Sequence, residues 1–511
     1  MRSIKMVPKQ LFSLRAGDVL LYRICEDLTG WLICLMVVFS PWAFGTTQSW
    51  SVWTMNFAGY ALGVLFAAKW FIRRLKGYRT LRWEPAATSD FNTARWLTEP
   101  RLTRVLAVLT LAILLYCFIS AANAYGTYHR RDLSFEYHSC ISWLPHSFDS
   151  NLSWPAFWSY LGLACSFWAV RDWLLGKTSA EEWAAYTGGQ LAGSGAGELF
   201  PARLRRLLWL LVINGTALAV EGIGQRLEGS GNLLFLVKPH VNPEAVAQFG
   251  PYAYRANAAQ YFNLLWPVCV GFWWMLHRAR GFKRHAHHLV LVGAVIMAAC
   301  PIISTSRGGA LITVGILVLA TIFLLLTHFG FDLHPGETSR ARTFTVSLVI
   351  FFCVGALVLG FSLGWKSLKP RMTELSEGFD GREEIYATAR PMAADYPVFG
   401  TGPGTFETVF QLYRISTDTY WPVQLHNDWL ETRITFGWVG TVMILLALVM
   451  VWLRWFAHGG IHGGRRFVIL LWLALGGCLA HARFDFPFQI HSIVFLFLIF
   501  CAMLLNLSRR P

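Results

Sequence analysis

The sequence predicts an all-α polytopic membrane protein with about 12 transmembrane helices, and three observations carry that reading. Hydrophobic residues make up 55% of the 511, and charged residues only 14%, about half the share found in soluble domains. Apolar runs near the roughly 20 residues that a bilayer demands recur along the whole chain. The 24 Trp and 38 Phe are the rings expected where helices meet a lipid interface.

The runs fall at approximately 28–46, 52–72, 103–121, 156–176, 205–223, 256–277, 287–304, 308–328, 343–363, 434–456, 467–483 and 488–507. Asn214 and Glu221 interrupt the fifth, while only STSRGG separates the seventh from the eighth, which predicts a tight hairpin. With the N-terminus placed inside, Lys and Arg divide roughly two to one in favour of the inner segments, with 73–104 the richest. That asymmetry predicts an even number of spans and both termini cytoplasmic. It also absorbs most of the net charge of +15, so a nucleic-acid partner gains no support and the bilayer is the partner expected.

The organisation expected is a cytoplasmic segment 1–27, four spans with their loops over 28–204, a membrane domain over 205–507, and a tail 508–511. One long periplasmic loop, 364–433, lies between the ninth and tenth spans. The basic start lacks a small-residue cleavage site and reads as a tail rather than a removable signal. Of ten cysteines, only Cys140 falls in an outer loop, so an intramolecular disulfide there is excluded. No Cys/His spacing suggests zinc, and neither metal nor cofactor is expected.

Polar chemistry gathers at the outer ends of the spans. In QLHNDWLETR (424–433), His426 is able to exchange a proton near neutral pH, and Asn427 or Asp428 is placed to orient its ring; a lone interfacial His is more often structural. In STSRGGAL, Arg307 heads a span and either snorkels or meets an anion, because an Arg deeper in the membrane is costly. Its planar fork suits a phosphate, and Gly308 and Gly309 permit close approach of a ligand to backbone. In FGPYAYRANAAQY, Arg255 and Asn257 precede the sixth span; interfacial anchoring beside Tyr252 and Tyr254 is the plainer reading. Arg226, in GIGQRLEGSG, is a weaker third cation.

Within 364–433, Arg382 pairs most simply with Glu383 or Glu384. Gly400, Gly402 and Gly404 with Pro403 read as a turn opening a short helix, which is not a nucleotide loop because no Lys-Ser/Thr follows. Near the end, HARFDFP adds His481, Arg483 and Asp485 on the same side, more simply a supporting salt-bridge network than direct chemistry. A base beside phosphate-binding arginines fits transfer of a group off a phosphate leaving group.

The order GPYAYRANAAQY, STSRGGAL, PVFGTGPGTF, HNDWLE and HARFDFP resembles the O-antigen ligase and polymerase superfamily over roughly 205–505. The resemblance implies a GT-C-type membrane glycosyltransferase, metal-independent and inverting, at the periplasmic face of the bacterial inner membrane. It implies a donor glycan on undecaprenyl diphosphate and, as acceptor, lipid A-core, another glycan or some other hydroxyl. Carried over by position, Arg255 and Arg307 hold the diphosphate, and His426, with Asn427 beside it, activates the acceptor. Many relatives read Asn-Arg-Asn-His where this chain reads YRANAAQ, so Arg255 matches while Asn257 is displaced by one and the His is missing. A repeat-unit polymerase is the alternative within the superfamily. A secondary transporter is the alternative outside it, disfavoured because transporters bury ionisable groups near the midplane and these spans look nearly free of them, Glu221 being the main ambiguous case.

Overall fold

The structure is a computed structural model describing residues 13–83, 99–186, 200–280, 286–330, 339–373, 375–414, 422–457 and 465–507. The expected tail 508–511 and the first twelve residues of segment 1–27 lie outside them. In chain order the helices are α1 (Ala16–Trp42), α2 (Ser49–Leu75), α3 (Glu99–Ala122), α4 (Ser150–Leu175), a short α5 (Ser179–Tyr186) and α6 (Ala202–Glu228). They continue as α7 (Arg255–Arg280), α8 (His288–Ile303), α9 (Arg307–Gly330), α10 (Ser339–Thr373), α11 (Leu375–Asp395) and α12 (Phe406–Tyr413). The last three are α13 (Asp428–Ala457), α14 (Arg465–His481) and α15 (His491–Leu507).

Every expected span overlies one of these helices. Among the described residues, α1, α2, α3, α6, α9, α10 and α13 are long and apolar enough to cross a membrane, and α8, α14 and α15 are apolar but shorter. The chain is a mostly helical, polytopic membrane protein.

Helix α7 is long but not especially apolar, and its surroundings explain why. It packs against α6, α8, α9, α14 and α15, and Trp266, Phe272 and Trp273 are wholly buried. A helix that meets other helices on all sides has no lipid-facing surface to satisfy, so aromatic and amide side chains replace aliphatic ones. Asn263 illustrates this: it donates to the Gly309 carbonyl at 2.9 Å and accepts from the Thr313 hydroxyl at 2.6 Å, pinning the start of α9 to α7.

Three details differ from the sequence expectation. Helix α1 begins at Ala16, well before residue 28, because the Arg15 backbone N–H donates to Asp18 at 2.9 Å and starts the helix there. Helix α10 runs ten residues past the expected end at 363, so the 364–433 segment is largely helical. The fold is also not purely helical: in the 122–155 loop β1 (Gly126–His129) pairs antiparallel with β2 (Ser134–Tyr137). Its rings pack across the strands, Tyr128 against Phe135 with centroids 4.9 Å apart and planes tilted by 41°, the kind of pair that stabilises a hairpin.

Segment 397–402 is stitched into a break in α13. Gly437 there has φ 58° and ψ −167°, a geometry closed to residues with a Cβ. The break frees backbone groups of α13, and the segment satisfies them. Thr401 and Gly402 donate to the Ile434 and Thr435 carbonyls, each at 2.9 Å, and Trp438 donates to Pro397 at 2.9 Å. A Cβ on Gly400 would lie 2.4 Å from the Ile434 carbonyl oxygen, so the two backbones touch only because both positions are glycine.

Candidate functional site

Two helices begin at one cavity with an arginine as their first residue: α7 with Arg255 and α9 with Arg307. The Ser306 hydroxyl accepts the Gly309 N–H at 3.1 Å and caps α9. The preceding residue, Thr305, has φ 63°, an expensive setting for a β-branched residue, and such strain persists where surrounding structure over-determines it. Helix N-termini carry partial positive charge and unpaired N–H groups, so two of them at one cavity favour an anion before any side chain is counted.

The cavity holds about 140 Å³, and its lining includes Arg255, Arg307, Arg371 and Arg382 against one carboxylate, Asp485. The arginines are held by backbone carbonyls. Arg255 donates to Val246 at 2.8 Å, Arg307 to Arg371 at 3.3 Å, and Arg371 to the strained Thr305 at 2.6 Å. A carbonyl fixes a guanidinium in place without neutralising it.

His426 stands beside this cavity at the start of α13, with φ 57°. Its Nδ1 lies 3.1 Å from Asp485 Oδ1, and the Tyr386 hydroxyl donates to its carbonyl at 2.7 Å. Phe486 and Tyr254 flank the ring, with centroids 4.8 and 6.1 Å away. Asp485 is buried, which pushes its carboxyl up, but the hydrogen bond to His426, with His481 and Arg382 nearby, outweighs burial and holds it below the usual carboxylate range. The Tyr254 hydroxyl, raised chiefly by burial and then by Asp485, stays protonated and donates to Asp485 Oδ2 at 3.4 Å.

The structure thus brings Arg255, Arg307, Arg382, His426, His481 and Asp485 together and rearranges several roles. The ring of His426 is oriented by Asp485, not by Asn427 or Asp428. Asn427 caps α13 by accepting the Leu430 N–H at 3.2 Å, and Asp428 accepts the Phe488 N–H at 2.7 Å, tying α13 to the loop before α15. Arg382 reaches the Phe484 carbonyl and lies 3.9 Å from Asp485, while Glu383 pairs instead with Arg390.

His481 is 1% exposed, 4.0 Å from Asp485, and packs against Gly308, whose missing Cβ would sit 3.1 Å from its Nε2. Gly309 is spent on helix contact, since a Cβ there would lie 2.4 Å from that of Ala259.

The remaining candidates lie off the cavity wall. Arg226 turns to the Ala245 and Gln248 carbonyls at 3.0 and 2.7 Å, a loop-bracing role. Asn257 is buried in the first turn of α7, and Arg483 is exposed. Gly402 and Gly404 pack against Ser147 and Leu152, so they seat the 397–405 turn on the loop before α4. Sequence reasoning missed Arg371, which carries no motif and reaches the cavity only because α10 overruns its apolar stretch. Tyr252 and Tyr254 are not interfacial anchors either: Tyr252 is 1% exposed, and Tyr254 stacks on Phe486 at 5.4 Å and 8°.

Fold and site together define a polytopic membrane protein with a cationic cavity and a His–Asp pair at one end of its helix bundle. Residues 292–445 match the family model Wzy_C, O-Antigen ligase, a similarity that supports kinship with the O-antigen ligase superfamily over that stretch. No curated protein matches the chain. The matched stretch includes Arg307, Arg371, Arg382 and His426; Arg255 and Asp485 lie outside it. That similarity supports, in general terms, a ligase- or polymerase-type function in O-antigen assembly.

Proposed function

We propose that this protein transfers a glycan from undecaprenyl diphosphate to an acceptor hydroxyl, in the manner of an O-antigen ligase, at the periplasmic face of a bacterial inner membrane. The observation that supports it best is the His426–Asp485 pair set beside a cavity with four arginines and one carboxylate in its lining.

In this reading the arginines and the first turns of α7 and α9 bind the diphosphate and stabilise the charge that grows on it as it leaves. Asp485 accepts Nδ1–H of His426, which leaves Nε2 unprotonated as the base. The acceptor oxygen attacks the anomeric carbon, and its proton passes to Nε2. The bond from that carbon to the phosphate oxygen breaks, its electron pair leaving with undecaprenyl diphosphate. Attack opposite the leaving group inverts the anomeric centre, and these residues supply base and counter-charge without a metal.

The proposal includes twelve spans with both termini cytoplasmic, which puts the cavity outside. Labelling of Cys140, in the 122–155 loop, by a membrane-impermeant maleimide tests that orientation.

The deciding experiment measures glycan left on undecaprenyl diphosphate in cells lacking the protein, complemented by wild type or His426→Ala. Long chains that disappear only with wild type are expected. Accumulated single repeat units would replace the ligase with a polymerase using the same site, and full rescue by His426→Ala would overturn the role of the pair.

A further inference from the structure

At the opposite end of α7 from Arg255, three histidines converge between the end of α7 and the start of α8. His277 lies in the last turns of α7, His287 just precedes α8, and His288 is its first residue. One ring nitrogen from each lies within 4.8 Å of the other two. His277 Nδ1 and His287 Nε2 are 3.1 Å apart, close to the separation of two imidazole nitrogens sharing one tetrahedral ion at about 2.0–2.1 Å. We propose that His277, His287 and His288 form a divalent transition-metal site of the Zn²⁺ class, which clasps the end of α7 to the start of α8.

The surroundings are those of a ligand set. His277 Nε2 lies 3.3 Å from the hydroxyl of Thr345, on α10. Donation from Nε2 to that hydroxyl leaves the Nδ1 lone pair facing His287, and such outer partners fix the tautomer of metal-bound histidines. His287 is 1% exposed and stacks near His288, with centroids 4.1 Å apart. Two imidazoles at that distance, one of them buried, gain from a shared cation that accepts lone pairs from both. The Trp273 indole donates to His288 Nδ1 at 3.3 Å, a long contact that an ion bound at Nδ1 would replace. Imidazole alone, without thiolate or carboxylate, suits Zn²⁺, Cu²⁺ or Ni²⁺ rather than Mg²⁺ or Ca²⁺. Three protein ligands leave a fourth position for water.

The sequence gives no warning of this site, because only the packing of α7 against α8 brings His277 to the other two. The ion takes no part in glycan transfer: α7 runs Arg255–Arg280, and the 22 residues from Arg255 to His277 put the histidines about 33 Å from Arg255. Its effect is to lock the base of the hairpin whose far ends present Arg255 and lead into Arg307.

The test uses the full-length chain, without a polyhistidine tag, in detergent. After chelator treatment and dialysis against Zn²⁺, one tightly held ion per chain and a raised unfolding temperature are expected, and both are lost in the His277→Gln/His288→Asn double variant. Titration with Co²⁺ keeps the test independent of how well that variant folds. The wild type is expected to give the strong visible bands of tetrahedral nitrogen coordination. Weak octahedral bands in the wild type, or Zn²⁺ retained equally by both proteins, would overturn the proposal.

Discussion

Two charged regions occupy opposite ends of α6, a helix of 27 residues and so about 40 Å long, and they are built on opposite principles. Near its first turn, Lys69 of α2 is wholly buried, 3.0 Å from Glu26 of α1 and 3.2 Å from Asp172 of α4. Asp172 also takes Arg73 at 2.7 Å and Arg82 at 2.6 Å, and Arg203 of α6 closes on Glu26. Here each cation meets a carboxylate, and four helices are cross-linked. At the other end, near Arg226, Arg255, Arg307 and Arg371 of the cavity donate to backbone carbonyls, and four arginines share the cavity lining with one carboxylate, Asp485. The first region holds helices together, and the second gathers positive charge around one cavity.

The largest effect that tests this contrast is on turnover. His426→Ala should lower transfer about 10²- to 10⁴-fold, the usual yield of a positioned base, while the unfolding temperature in detergent stays near wild type. A large fall in that temperature would move His426 into the structural group and erase the distinction.

Asp172→Asn is the mirror experiment. It leaves Arg73 and Arg82 facing a neutral side chain and Lys69 with Glu26 alone, so the folded state should lose about 3–5 kcal/mol. Activity per folded molecule should not change. Unaltered thermal stability would show that the cluster contributes nothing to the bundle.

Arg371→Gln should come next, with a 10- to 100-fold loss in kcat/KM for the lipid-linked donor, the worth of one hydrogen bond to a charged group at about 1.5–3 kcal/mol. Arg371 also holds the Thr305 carbonyl, so Arg371→Lys sharpens the result. Lysine keeps the charge but loses the fork. Recovery by lysine would assign the residue to charge alone, and no recovery would assign it to bidentate binding or to the Thr305 contact.

These residues differ in how visible they were before the fold was known. The helices were legible because lipid imposes an apolar demand that repeats along the chain, and His426 stood out because polar residues are conspicuous in such a background. Arg371 was hidden, since nothing local marks where α10 stops. Asp485 was visible as a charge but not as the partner of His426, because their pairing spans 59 positions and depends on how α13 and α14 meet. The charge cluster was also missed. The spans looked nearly free of ionisable groups, yet Glu26, Lys69 and Asp172 sit inside helices, tolerated because each neutralises another.

The smallest expected effect concerns pH and tests whether Asp485 is ionised where it stands. Its folded pKa is lowered relative to the unfolded chain, so its ionised form contributes stability in full above the ordinary carboxylate value of about 4. That contribution declines as pH falls below this value, because protons bind the unfolded chain first, and it is gone once pH has passed through the folded pKa. Wild type should therefore exceed Asp485→Asn by about 1 kcal/mol at neutral pH, the net worth of one hydrogen bond. The gap should close as unfolding is measured at progressively lower pH. Unlike the Asp172 substitution, this small loss in stability should accompany a large loss in transfer, because the carboxylate that orients the base is removed while the arginines stay in place. A gap that widened toward low pH would mean that Asp485 is protonated in the folded protein, and Nδ1 of His426 would then face a donor rather than an acceptor.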